Sequence, residues 1–325
     1  TTTFLLLILS FFVFGQENLL DTSFGTSNGQ TNFSFYNSNG QPTGGVLFHD
    51  SVKLPDGKIL SVGVGVIARF TSNGILDSTF NDTGYKLISP FGNYLRVLPS
   101  PDQHFVLLDI AFGGKILKID SDGNPVSSFT NYNQSASYVD IDLDNQGNIY
   151  LLKHNNYNYY VTKLFSNGSV DTSYANNGSL SLGNTYRYNK LKSNAQGDLF
   201  IAGKHQISDS NRRILVTKVN TSGIIDSSFA TNGNFLQVSG TYSGDYSQLE
   251  ILNDGKILGA TSGSFCNGSN CFGLIVYRLL PNGTLDTSFR ETGIGVIPIQ
   301  SNSDPSEIKV LPDSSYIISG TGIRS

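Results

Sequence analysis

Leu20-Asp21-Thr22-Ser23-Phe24 is a short stretch that this chain repeats. It returns as Leu76-Asp77-Ser78-Thr79-Phe80, Pro125-Val126-Ser127-Ser128-Phe129, Val170-Asp171-Thr172-Ser173-Tyr174, Ile225-Asp226-Ser227-Ser228-Phe229 and Leu285-Asp286-Thr287-Ser288-Phe289. The aromatic residues lie 56, 49, 45, 55 and 60 residues apart. Five copies follow a turn pair: Asn73-Gly74, Asp122-Gly123, Asn167-Gly168, Ser222-Gly223 and Asn282-Gly283. A second motif alternates with the first, clearest as Asp56-Gly57-Lys58-Ile59-Leu60, Gln146-Gly147-Asn148-Ile149-Tyr150 and Asp254-Gly255-Lys256-Ile257-Leu258. Asp-Gly and Asn-Gly supply the positive φ angles that hairpin turns require. Two turn motifs in strict alternation mark an internal repeat.

Short runs of strand character fill the space between the motifs. Residues 233–283 give four of them: Asn234–Val238, Ser247–Leu252, Lys256–Ala260 and Leu274–Leu279. Helical periodicity is absent. Four strands in 45–60 residues predicts an all-β propeller of four-stranded antiparallel blades. The count predicts five complete blades, at roughly 26–80, 81–129, 130–174, 175–229 and 230–289, and one partial blade from Arg290. Leu20–Phe24 reads as the tail of a motif lacking its preceding strand, which predicts closure between the two chain ends.

The two motifs in this order resemble the delta-60 repeat, a bacterial β-propeller repeat, over nearly the whole chain. The third copy departs from the pattern, with Pro125 and Val126 at its Leu and Asp positions. The resemblance implies a propeller and export. It supplies no activity and no catalytic residue. Similar exported proteins often continue into a C-terminal sorting module for type IX secretion.

Composition agrees with a β protein. Gly (35), Phe (21) and Tyr (16) are abundant, and charged residues make up only 14% of the 325 positions, against roughly 25% in an average domain. The net charge of -4, without a Lys/Arg run, argues against nucleic acid as a partner. The chain contains no Met, and it is expected to be a fragment clipped at both ends. Phe4–Phe14 (FLLLILSFFVF) is apolar throughout. That run is shorter than the ~20 residues a membrane span needs and fits the apolar region of a secretory signal. Residues 1–16 are therefore expected to be a signal peptide, leaving no transmembrane segment once removed. Residues 17–325 are expected to be the propeller, incomplete at its C-terminus. Cys266 and Cys271 flank a turn and are expected to form a small disulfide in an oxidising compartment. These features predict a secreted or cell-surface protein, taken to be monomeric.

The repeated Asp and Ser offer no asymmetric constellation for catalysis. Asp21, Asp77, Asp171, Asp226 and Asp286 are expected to cap turns, and Phe24, Phe80, Phe129, Tyr174, Phe229 and Phe289 to plug the space between blades. Both motifs fall on one rim, so the variable loops share the other, where binding residues usually lie. That rim offers His154, His205, Tyr157, Tyr186, Arg187, Tyr188, Arg212, Tyr242 and Tyr246. Tyr can stack on sugar rings and Arg can hold carboxylates or sulfates. Carbohydrate or another surface protein is the expected ligand of an adhesion or recognition scaffold. An extracellular polysaccharide hydrolase or lyase is the alternative, and it needs His154 or His205 to meet an acid such as Asp209. No metal motif or cofactor site is recognisable. The run Asp140-Ile141-Asp142-Leu143-Asp144 resembles half of a calcium loop but lacks a closing Glu. Its alternation also fits a strand with one wet face.

Overall fold

A computed structural model describes residues 2–8, 21–26, 31, 34–36, 47–88, 93–110, 114–134, 136–208, 211–237, 247–263, 273–298 and 303–322. Among them every regular element is a β-strand, and no helix is long and apolar enough to cross a membrane.

The chain opens with β1 (Thr2–Ile8). The first sheet contains β2 (Phe48–Lys53), β3 (Ile59–Gly63), β4 (Val66–Phe70) and β5 (Tyr85–Leu87). The second contains β6 (Tyr94–Pro99), β7 (Phe105–Asp109) and β8 (Lys115–Ile119), with one further bridge between Ile116 and Tyr132 at its outer edge. The third is β9 (Ser137–Leu143), β10 (Ile149–Asn155), β11 (Asn158–Leu164) and β12 (Ser179–Gly183). The fourth is β13 (Arg187–Ser193), β14 (Leu199–Ser208), β15 (Asn211–Val219) and β16 (Asn234–Leu236). The fifth is β17 (Ser247–Ile251), β18 (Ile257–Gly263), β19 (Gly273–Leu279) and β20 (Ile294–Pro298). The sixth joins β21 (Ser303–Val310) and β22 (Tyr316–Gly322) to β1, in the order β1-β22-β21. Neighbouring strands are antiparallel throughout. The protein is an all-β propeller with repeated four-stranded sheets, as the repeat predicts.

The blade boundaries differ from expectation by one strand. The predicted units begin with the strand that follows each Asp-x-Ser-Phe motif. In the structure that strand closes the preceding sheet, as β20 does at the outer edge of the fifth. A motif is a turn inside one blade, and sequence alone does not fix the phase of a repeat. The sixth sheet accordingly takes its third strand from the chain start, where Thr2 pairs with Gly322 and Ile8 with Tyr316.

Each motif packs its own sheet against the next. In five copies the Asp Oδ1 accepts the backbone N–H and hydroxyl of the residue two positions on: Ser23, Thr79, Ser173, Ser228 and Ser288. In four of them Oδ2 takes a cation from the sheet's third strand: Arg69–Asp77 at 2.7 Å, Lys163–Asp171 at 3.0 Å, Lys218–Asp226 at 2.9 Å and Arg278–Asp286 at 2.7 Å. The degenerate copy has Val126 there, and Lys118 turns to Asp102 at 2.7 Å instead. The aromatic residue then lies against the turn glycine of the following sheet: Phe24 on Gly74, Phe80 on Gly123, Phe129 on Gly168, Tyr174 on Gly223 and Phe229 on Gly283. A Cβ on these glycines would strike the ring, and their φ is positive, so glycine is required twice over. Backbone bonds such as Ala230 N–H to Asn282 O and Ala175 N–H to Ser222 O fasten the same joint. The core accordingly lies between sheets. Phe200, Val216 and Phe229 of the fourth pack on Leu249, Ile275 and Tyr277 of the fifth.

Candidate functional site

The innermost strands β2, β6, β9, β13, β17 and β21 line the propeller axis. The residue six positions before the second motif is Asp50, Arg96, Asp140, Lys190, Gln248 and Glu307 in turn. On β2, β6, β9, β13 and β21 a register irregularity immediately precedes it, between Phe48 and Asp50, Tyr94 and Arg96, Tyr138 and Asp140, Tyr188 and Lys190, and Pro305 and Glu307. Such bulges re-aim a side chain. Arg96 Nε lies 3.3 Å from Asp50, its Nη1 lies 3.8 Å from Asp140, and Lys190 Nζ lies 3.3 Å from Asp140. One layer on, Lys192 pairs with Glu250 at 3.2 Å, and Asp142 accepts the Ser193 N–H and hydroxyl. Asp140 also accepts the Leu191 N–H, and Asp50 the Val97 N–H, so each carboxylate stitches its strand to the next sheet. Burial opposes ionisation of Asp140, but Lys190 and Arg96 together hold its pKa below the ordinary range. The calcium-like run therefore has other partners. Asp140 and Asp142 are buried in this network, not on a wet face. Asp144 caps the next turn through the Gln146 and Asn148 N–H groups.

The rim opposite the motifs holds a second cluster, between the third and fourth sheets. Its seed is the β10–β11 hairpin. Asn155 pairs with Asn158, so the loop is Asn156-Tyr157, and both residues have positive φ, 46° and 65°. Two-residue turns of this kind favour Asn-Gly. Tyr157 is the one aromatic residue in that backbone region among the described residues, and it is 64% exposed. Its ring lies parallel to that of His154, with centroids 6.4 Å apart, and the Arg187 guanidinium sits 4.9 Å from its centroid. The contacts continue from His154 to Tyr159 (5.2 Å), to Tyr188 (5.6 Å), to Tyr186 (6.2 Å) and to His205 (5.0 Å). Arg187 and Lys204 are register partners on β13 and β14. Burial, with Arg212 and Arg187 nearby, lowers the Lys204 pKa to about 8. Burial, with Arg187 second, also lowers that of His154.

The structure thus brings together His154, Tyr157, Tyr186, Arg187 and His205, with Arg212 beside them through Lys204. Tyr188 is a correction. It is 3% exposed and hydrogen-bonds Thr217 at 3.2 Å, so it is a core residue supporting Tyr186 and not a surface contact. Its place at the start of an inner strand, packed against the neighbouring sheet, accounts for this. Tyr242, Tyr246, Asp209, Cys266 and Cys271 lie outside the described residues. Among the described residues neither His154 nor His205 pairs with a carboxylate, the only histidine ion pair being His104 with Asp102. No group of three or more metal-capable side chains occurs among them. The axial ion pairs were missed by sequence reasoning. Their signal is positional, a charged residue at a fixed distance before five of the six second motifs.

The family described as "Domain of unknown function (DUF5122) beta-propeller" matches residues 54–80 and 252–289. Each match runs from the second motif of a sheet through the first. No curated protein matches the chain. Among solved structures, a protein from Lactobacillus plantarum is similar at 14% identity and a TM-score of 0.54, covering 82% of this chain and 76% of that one. The Dos1 propeller is similar at 11% identity and a TM-score of 0.51, covering 88% and 71%. The chain is a β-propeller repeat protein.

Proposed function

We propose that this propeller, of the delta-60 repeat type, is a secreted or cell-surface binding scaffold whose rim between the third and fourth sheets takes acidic carbohydrate. The observation that carries the reading is Tyr157. A bulky residue in left-handed backbone costs about 1 kcal/mol or more, and such strain gathers at functional positions. Here it presents an exposed aromatic face at a hairpin tip, beside Arg187. An aromatic face stacks on a sugar ring, and a guanidinium grips a carboxylate or sulfate in fork geometry. The motif rim repeats its residues from blade to blade, whereas this cluster occurs at one pair of sheets among the described residues.

The test is titration with a panel of neutral and acidic polysaccharides. Acidic polymers are expected to bind, and Tyr157→Gly is expected to abolish binding while leaving the fold as stable or up to about 1 kcal/mol more stable. Retained binding in that variant would end the proposal. Export is supported by the apolar run Phe4–Phe14. Export with cleavage and the β1 pairing are alternative fates of the same residues. N-terminal sequencing of protein from the medium separates them: a start near Gln16 means that the leader is cut and β1 is lost from the mature chain.

A further inference from the structure

Lys153 is 9% exposed, and its register partner on β11 is Tyr160. Alternation along β10 points Lys153 away from the face that carries His154, toward the second sheet. Its Nζ donates to Tyr132 Oη at 2.8 Å and to Gln134 Oε1 at 2.9 Å, and it sits 5.3 Å from the Tyr132 ring centroid. No carboxylate pairs with it among the described residues. Burial alone lowers its pKa. An ammonium has three N–H donors, and two are used here. A buried charge without a counter-charge is disfavoured unless something else offsets it. Tyr132 and Gln134 solvate the cation but do not neutralise it.

This lysine lines an open cleft of about 360 Å³, within the range of small-molecule sites. The same face of the third sheet carries Thr162, whose hydroxyl lies 3.1 Å from that of Ser179, and Asn177 also lines the cleft. One cation and several neutral hydroxyl and amide groups surround a space of monosaccharide size. Apolar ligands would leave these polar groups unpaired, and a neutral polyol would leave the charge unanswered.

We propose that this cleft binds a small hydroxylated carboxylate, a sugar acid, with its carboxylate on Lys153 Nζ and its hydroxyls toward Thr162, Ser179 and Asn177. The site differs from the rim cluster in its cation and lies on the side of the third sheet that faces Tyr132 and Gln134, with His154 at the border of both. Calorimetric titration with glucuronate at pH 6.5 and low salt, with glucose as comparison, tests it. Glucuronate is expected to bind at least about tenfold more tightly than glucose, as a charge-assisted hydrogen bond allows. In Lys153→Met the two sugars are expected to bind equally. Equal binding by the native protein, or a preference that survives Lys153→Met, overturns the proposal. Should that variant fail to fold, acetylation of the native protein by limiting acetic anhydride, mapped by mass spectrometry, gives a second reading. Glucuronate is expected to slow labelling of Lys153 and glucose is not; identical labelling with both would equally reject the site.

Discussion

Phe229→Ala tests the joint between sheets most directly. Phe229 is 1% exposed and meets Phe200 edge-to-face, with centroids 5.8 Å apart and planes at 71°. A buried Phe removes roughly 150 Å² or more of apolar surface from water, worth about 4 kcal/mol at 25 cal/mol per Å². The edge-to-face pair adds about 0.5–1.5 kcal/mol. Partial relaxation of the cavity returns some of this, so the expected loss is about 3–5 kcal/mol. Gly283→Ala attacks the same joint from the other sheet. Its Cβ would lie 2.8 Å from the Phe229 ring and 2.8 Å from the Ala230 nitrogen, at a φ of +84°. Left-handed strain and overpacking together predict a loss of about 2–4 kcal/mol. In the double variant the ring clash is gone but the backbone contact and strain remain, so the two losses should fall short of additivity by about 1–2 kcal/mol. Urea unfolding of the four proteins measures this. A loss below about 1 kcal/mol for Phe229→Ala, or additive losses, would refute an aromatic plug seated on the next sheet's glycine.

Acid stability follows from the motif carboxylates. Bonds from Ser228 and Lys218 lower the Asp226 pKa from 3.8 to about 2, and Ser288 with Arg278 does the same for Asp286. A depressed carboxylate pKa contributes stability above the unfolded value and loses it as pH falls toward the folded one. Stability should therefore drop between pH 3.8 and 2, and Asp226→Asn should flatten that drop in a pH series of melting curves. Asp140→Ala strands Lys190 and Arg96 beside the axis and should cost about 3–5 kcal/mol; a loss under 1 kcal/mol in denaturant titration would show that the axial ion pairs are not structural. Lys204, with its pKa near 8, loses its proton above that value, so affinity of the rim for an acidic polymer should fall as pH rises through 8. A flat profile from pH 6.5 to 9.5 would remove Lys204 from the proposed site.

The fold was legible because Asp-Gly turns and Asp-x-Ser-Phe tracts are local signals with fixed chemistry. The phase of the blades was not, since strand pairing is a long-range choice that a periodic sequence leaves open. The rim cluster was partly legible. Tyr157 and Tyr186 are loop residues in both readings and Arg187 is the first residue of β13, whereas Tyr188 differs because a one-residue step along β13 moves a side chain from rim to core. The axial residues were hidden by their diversity. Asp50, Arg96, Asp140 and Lys190 occupy one structural position with different chemistry, so comparing repeats suggests a variable, unimportant site. Their common feature is that each completes its neighbour's charge, which only the ring arrangement displays. The partners of Lys153 were hidden for a related reason. Tyr132 and Gln134 come from the preceding sheet's outer edge, where one bridge replaces a strand.

The two charged regions divide the labour of the fold. At the axis, Arg96 and Lys190 are engaged by carboxylates that themselves accept backbone N–H groups of the following sheet. A ligand entering there would have to break buried ion pairs at several kcal/mol each before gaining any contact. That argues against a ligand site at these axial ion pairs. At the rim, Arg187 spends its charge on a neutral carbonyl, Asn184 O at 3.0 Å, and on the face of Tyr157. Neither contact neutralises it, and both hold it still. A guanidinium positioned in this way binds an anion with little ordering left to do. The strain at Tyr157 acquires its reason in the same place. The hairpin gives up the glycine that its turn prefers and fixes an aromatic face beside a positioned cation, the arrangement that the proposed stacking and charge recognition on one ligand requires.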